Sequence, residues 1–314
     1  MKKRGHIAFL LTCCLLLAGC GGKQDAEPFA GNGNTVEGQD GTGQEDSDSL
    51  PTSDKETDGG DWEESQGGEA ERVKYRIVDG AESGNLVLAG EGWGSVYTLS
   101  LGDDSKYKVC LDGEEADKAA LEDGMMVEIG NAYIMETFPG QLGGDLTIYA
   151  YSRGTQQNPG GGYYDLCGLY LQVLNDLWEK DNGLNSEVTY VSVDLSEAPG
   201  ELTDGEKSAI AWIFGCQHQV ESLTMTQEEL AEAGYLTELE MSSKSKLYQW
   251  EDGVLFQITA VQWEDGEIYS LPVIKFDASK WRSPRGAYFF SDCFAVWPEM
   301  GTWSGYEIGG EAIS

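Results

Sequence analysis

From Val73 to about Ser152, apolar and polar residues alternate in short runs broken by glycine and by Asp-Gly pairs. A period of two is the mark of half-buried β-strands. The pattern predicts strands over Val73–Val78, Leu86–Ala89, Val96–Leu101, Lys106–Leu111, Met125–Glu136 and Leu146–Tyr151, and one helical turn over Ala116–Leu121. Asp79-Gly80, Asp112-Gly113 and Asp123-Gly124 supply turns. The fifth strand runs long toward Phe138-Pro139, and together the strands predict a small antiparallel β-barrel over residues 73–153.

Beyond Pro159 and the three glycines after it, the period changes. Leu166, Leu169, Tyr170, Val173, Leu174, Leu177 and Trp178 fall on one face of a helix that ends near Asn182-Gly183. Val188–Leu195 alternates as a strand. Thr203 with Glu206, and Thr226 with Glu229, form capping boxes that open helices reaching about Gln219 and Gly234. From Leu247 strands return. QWEDG occurs at Gln249–Gly253 and again at Gln262–Gly266, bracketing the apolar run Val254–Val261, and reads as the two turns of a meander. Ile268–Phe276, Gly286–Val296 and Thr302–Ile308 then complete an antiparallel sheet, so residues 160–314 read as an α+β domain and the chain as α+β overall.

The first seventy residues are patterned differently. Lys2, Lys3 and Arg4 precede an apolar run, Ile7–Leu17, too short to cross a bilayer comfortably, and the run closes on Leu17-Ala18-Gly19-Cys20. That tetrapeptide resembles the lipobox of bacterial lipoproteins of the Gram-positive, clostridial kind. The resemblance implies that residues 1–19 are a signal peptide, that Cys20 carries lipid such as palmitate, and that the protein is held to the cell membrane on its extracytoplasmic face. Residues 20–72 are rich in Gly, Asp, Glu and Ser and too poor in apolar side chains to fold. They read as a disordered acidic tether with a reach of about 40 Å. The strand order of residues 73–153 also resembles OB-fold-like domains of such lipoproteins.

Charge narrows the partners. Fifty-five acidic residues face 20 basic ones, a formal charge of −35. Nucleic acid, which needs clustered Lys and Arg, is excluded, and adsorption to anionic headgroups is disfavoured, leaving lipid as the membrane contact. Outside the leader, Cys110, Cys167, Cys216 and Cys293 remain as buried thiols, as one or two bridges, or as ligands or nucleophiles. His218 is the one histidine past His6, and on a helix it points away from Cys216. Zinc, nucleophile-elbow and P-loop motifs are missing, so no cofactor is expected; a loosely held Ca²⁺ at an acidic loop stays open, with no position.

The C-terminal region is aromatic, and inside it Trp281-Arg282-Ser283-Pro284-Arg285 is a basic island in an acidic protein. Core packing accounts for most aromatics at strand spacing. The alternative is a binding surface in which Trp281, Trp297 and Trp303 stack a sugar ring or peptide while Arg282 and Arg285 grip a carboxylate or phosphate. The stretch KWRSPRGAYFFSDCFAVWPE and the closing GTWSGYEIGGEAIS resemble the extracytoplasmic tail of clostridial membrane proteins of the beta-lactam-sensor metallopeptidase type. The likeness covers roughly Leu169 to Ser314. It implies a stand-alone sensing or binding module; the zinc peptidase motif is missing, so no catalytic residue carries over. The expectation is therefore a membrane-anchored extracytoplasmic lipoprotein that binds or senses a cell-wall, glycan or peptide ligand. The oligomeric state is left open. The competing readings are a carboxylate-dependent cell-wall or glycan hydrolase and a solute-binding lipoprotein.

Overall fold

The computed structural model describes residues 72–158, 165–239, 246–261, 273–296 and 305–314. The expected signal peptide, Cys20 and the expected tether up to residue 71 lie outside the described residues, as does the second QWEDG, while Arg72 already belongs to the first strand.

The first part holds β1 (Arg72–Asp79), β2 (Asn85–Ala89), β3 (Val96–Ser100), β4 (Tyr107–Leu111), β5 (Glu114–Ala116), β6 (Met126–Gly130), β7 (Tyr133–Met135), β8 (Gly140–Gly143) and β9 (Leu146–Ala150). They form one sheet in the order β5-β4-β9-β6-β1-β2-β3-β8-β7. The expected long fifth strand is divided into β6 and β7 by Asn131, whose φ of 61° leaves the β region.

The barrel is not closed, and here the structure corrects the sequence reading. β8 runs parallel to β3, whereas β9, beginning three residues later, lies antiparallel to β6 and parallel to β4. Three residues span at most about 11 Å, so the two arms of the sheet must curl toward each other. The chain, with Gly144 at φ +117°, bridges the gap in place of a hydrogen-bond ladder. A period of two reports which face of a strand is buried; it cannot tell a curled sheet from a closed one.

The second part holds α1 (Leu166–Trp178), β10 (Tyr190–Asp194), α2 (Asp204–His218), β11 (Glu221–Leu223), α3 (Gln227–Glu232), β12 (Thr237–Leu239), β13 (Leu247–Gln249), β14 (Gly253–Ala260), β15 (Val273–Ser283), β16 (Gly286–Val296) and β17 (Gly310–Ile313). Six strands form a sheet in the order β11-β10-β14-β15-β16-β17, and β12 pairs with β13 separately. This sheet is mixed, not antiparallel as expected, because β10 runs parallel to both β11 and β14. Helical crossovers impose that geometry: α2 returns the chain from β10 to β11. Both capping boxes form as the sequence indicates, at Thr203–Glu206 and Thr226–Glu229.

Successive residues of β14 face opposite layers. Val254, Phe256 and Ile258 join the main core with α1 and α2, while Leu255 joins Leu230, Leu236 and Trp250 beneath α3. Asp252-Gly253 is not a hairpin turn, since β13 and β14 belong to different sheets. The glycine is needed there for another reason: a Cβ at Gly253 would lie 2.0 Å from the Trp250 indole.

One hydrophobic cluster runs through both sheets. The first turn of α2 sits on the β2–β3 turn, where Thr203 Oγ1 donates to Gly90 O (3.2 Å), Gly205 N to Glu91 O (3.2 Å) and Gly94 N to Ser208 Oγ (3.1 Å). A Cβ on Gly205 would come 2.1 Å from Gly90 O, so only glycine permits the approach.

Candidate functional site

Of the aromatic-basic island, Trp281 and Arg282 are neighbours on β15, and Arg285 is exposed at the tip of the β15–β16 turn. Trp297 and Trp303 lie outside the described residues. Trp281 is half-buried against the small core under α3. Arg282 donates to backbone oxygens: Nε to Trp250 O (3.2 Å), Nη1 to Leu184 O (3.0 Å) and Ser186 O (2.7 Å), and Nη2 to Glu251 O. Four of its five N–H donors are thereby occupied, tying two loops to the strand. The geometry supports a clamp at this position, and Arg285 alone of the pair is left facing solvent.

Other chemistry-bearing side chains are engaged inside the fold. His218 stacks on Trp178 with centroids 4.1 Å apart, and its Nε2 is 2.8 Å from Asn175 Oδ1. Asn175 donates from Nδ2 to Leu171 O and Gln217 Oε1, which fixes its oxygen as an acceptor and His218 as the Nε2–H tautomer. Burial, then the nearby Lys280 charge, holds this imidazole down at about 4. It is neutral at ordinary pH. Lys280, 0% exposed, was not singled out by its sequence context. Its Nζ donates to Lys180 O (2.7 Å) and Trp178 O (3.1 Å), closing the C-terminal end of α1 from a neighbouring strand, and burial holds it down at about 8.

None of the four cysteines described is in a disulfide. Cys167 and Cys293 are buried, and burial pushes the Cys293 thiol up to about 12 and that of Cys167 well above its ordinary value. Neither is a ready nucleophile. Among the described residues, no group of three or more His, Cys, Asp and Glu side chains is arranged to hold a metal ion, and no helix is long and apolar enough to cross a membrane. An open groove of about 570 Å³ beside β4 and β5 is lined by Lys106, Lys108 and Lys118 facing Asp104, Glu115 and Asp117. Its charges are compensated from within, as in the 3.0 Å pair of Lys118 with Asp104.

The β7–β8 arm is unlike these. Residues 131–138 are exposed without a break, and among them Tyr133 (59%), Ile134 (50%), Met135 (41%) and Phe138 (67%) are large and apolar. The Tyr133 ring lies across the Gly143–Gly144 backbone, where a Cβ at Gly143 would be 2.7 Å from Cζ. Its outer side faces solvent. β7 is the last strand of its sheet, with no partner on its outer edge among the described residues.

The chain matches no protein-family model, no curated protein and no solved structure among those compared. The site is therefore argued from its own chemistry. Sequence reasoning placed Tyr133–Met135 inside a long strand and missed its exposure. The usable signal was the absence of a polar alternation in Tyr133-Ile134-Met135 beside Asn131.

Proposed function

We propose that this chain is a lipid-anchored extracytoplasmic module, tethered through Cys20, that captures an extended peptide segment by strand addition along β7. The observation that carries the reading is the exposed apolar β7–β8 arm, whose outer strand edge is unpaired among the described residues. Exposed edges are normally blunted by lysine, proline or a covering element, and large exposed apolar side chains in series mark docking surfaces. Here Glu136 is the one charge within residues 131–138. Strand addition uses the free backbone edge for affinity and alternate side chains for selectivity. The acidic surface favours a basic-apolar peptide over a second copy of this chain, since like charges repel.

The pairings of the first sheet support an OB-like origin. A β1–β2–β3 meander, β6 beside β1 and β3 parallel to β8 are the contacts of such a domain; in that correspondence β8 and β9 share the place of the fifth strand, and the β7 segment belongs to the connection between the fourth and fifth. OB-type domains carry ligands on that loop.

The test is selection of a random twelve-residue peptide library on the full chain carrying Cys20→Ser, which keeps it off membranes. Peptides rich in basic and β-branched residues should be enriched, and the enrichment should vanish in Ile134→Lys but persist in Phe289→Lys, an exposed position on β16. No enrichment, or enrichment that survives Ile134→Lys, would refute the reading; binding to phosphatidylglycerol vesicles through the same residues would replace it with a membrane-contact role.

A further inference from the structure

The joint between the two sheets contains an excess of carboxylates around one cation. Arg76 on β1 donates from Nε to Glu206 Oε1 (2.5 Å) on α2 and from Nη1 to Gly124 O (2.8 Å). Glu206 also accepts from Thr203 N through Oε2 (2.7 Å), so its carboxylate is used at both oxygens. Three aspartates form no ion pair of their own among the described residues: Asp79 at the end of β1, Asp123 just before β6, and Asp165, the N-cap of α1. Asp165 is 5% exposed, sits at φ +54°, and accepts from Gly168 N (3.2 Å). Gly124 is pressed against it: a Cβ there would lie 2.6 Å from the Asp165 Cβ. Asp123 accepts from Ala81 N (2.9 Å) and faces Asp79 and Glu82, while the Cys167 thiol is next to Asp165 on α1.

An ionised Asp165 must therefore be accommodated in a tight, poorly solvated seat beside Asp123 and Asp79, with Arg76 already bound to Glu206. A protonated Asp165 still accepts from Gly168 and adds no charge. We propose that Asp165 is a proton-operated latch, its neutral form seating the first turn of α1 against the Asp123-Gly124 turn and its ionisation unseating that turn. Burial, opposed by the Gly168 hydrogen bond and the Arg76 charge and reinforced by Asp123 and Asp79, pushes this carboxyl up to about 7, and Asp79 and Asp123 are also raised, chiefly by burial. In the open joint Asp165 is solvated and titrates near 4. Between those values the open state releases a proton that the closed state keeps, so closure is fully favoured below about 4 and is lost as pH rises toward 7.

Hydrogen exchange of the full chain, corrected for the intrinsic pH dependence, reads the latch at the amides of Gly168–Leu171. Opening should increase about tenfold per pH unit from pH 5 to 7 and level off above. Asp165→Asn, neutral and of the same shape, should show no such slope. Asp123→Asn removes a repelling neighbour and should move the levelling-off to lower pH, which keeps the test valid if Asp165→Asn fails to fold. A flat profile for the unaltered chain, an unchanged slope in Asp165→Asn, or no shift in Asp123→Asn would overturn the latch.

Discussion

His218 shows how one residue can look like chemistry and act as structure. Its ring is stacked on Trp178 and bound to Asn175, and it is held at about 4 against about 6.5 in an unfolded chain. Between these values the unfolded chain takes up a proton that the folded chain refuses, so stability is complete above about 6.5 and falls as pH drops toward 4. The loss amounts to at most roughly 3 kcal/mol, reduced by the ring's partial contact with water. Urea unfolding of His218→Gln should show a flatter acid limb than the unaltered chain between pH 6.5 and 4; parallel limbs would contradict this assignment. Lys280 makes the complementary case. Lys280→Met leaves the last carbonyls of α1 without their donor, so a loss of about 2–4 kcal/mol is expected by urea unfolding at neutral pH.

At the scale of elements, the legible features were those with local causes. The α1 stripe, both capping boxes and most strands of the first sheet follow from periodicity, caps and turn residues within a few positions of each other, whereas β15 runs on to Ser283 past the expected end at Phe276. What the sequence did not show was set by distant partners. Parallel pairing of β10 depends on where α2 returns the chain, and Gly253 reads as a turn signal although its constraint is the Trp250 indole. The same holds for Arg282, whose partners Leu184 and Ser186 are about a hundred residues away. As a clamp, Arg282 predicts that Arg282→Met lowers stability by about 2–3 kcal/mol, seen as a lower urea midpoint, while leaving peptide capture at β7 intact. Loss of capture with no change in midpoint would return this arginine to a ligand-binding role.

For the whole molecule, one continuous core joins the two sheets, so the exposed β7 arm projects from a single packed body. Such a body suits strand addition, because little order has to be gained in the binder when the peptide arrives. An anchor at Cys20 would add reach without affinity. If Cys20 carries the lipid, Cys20→Ser should move the protein from the membrane fraction to the soluble fraction and leave its peptide selectivity unchanged; retention at the membrane would separate the anchor from Cys20.

Strand addition makes one demand that no other mode of binding shares: the outer backbone edge of β7 must become hydrogen-bonded. Hydrogen exchange of the full Cys20→Ser chain, with and without a saturating peptide drawn from the selection, reads that edge directly. The account predicts that protection rises at Tyr133–Met135 and stays constant at β5, the opposite edge of the first sheet, and at β17, one edge of the second. Protection gained at β5 or β17, or binding with no change at β7, would contradict it.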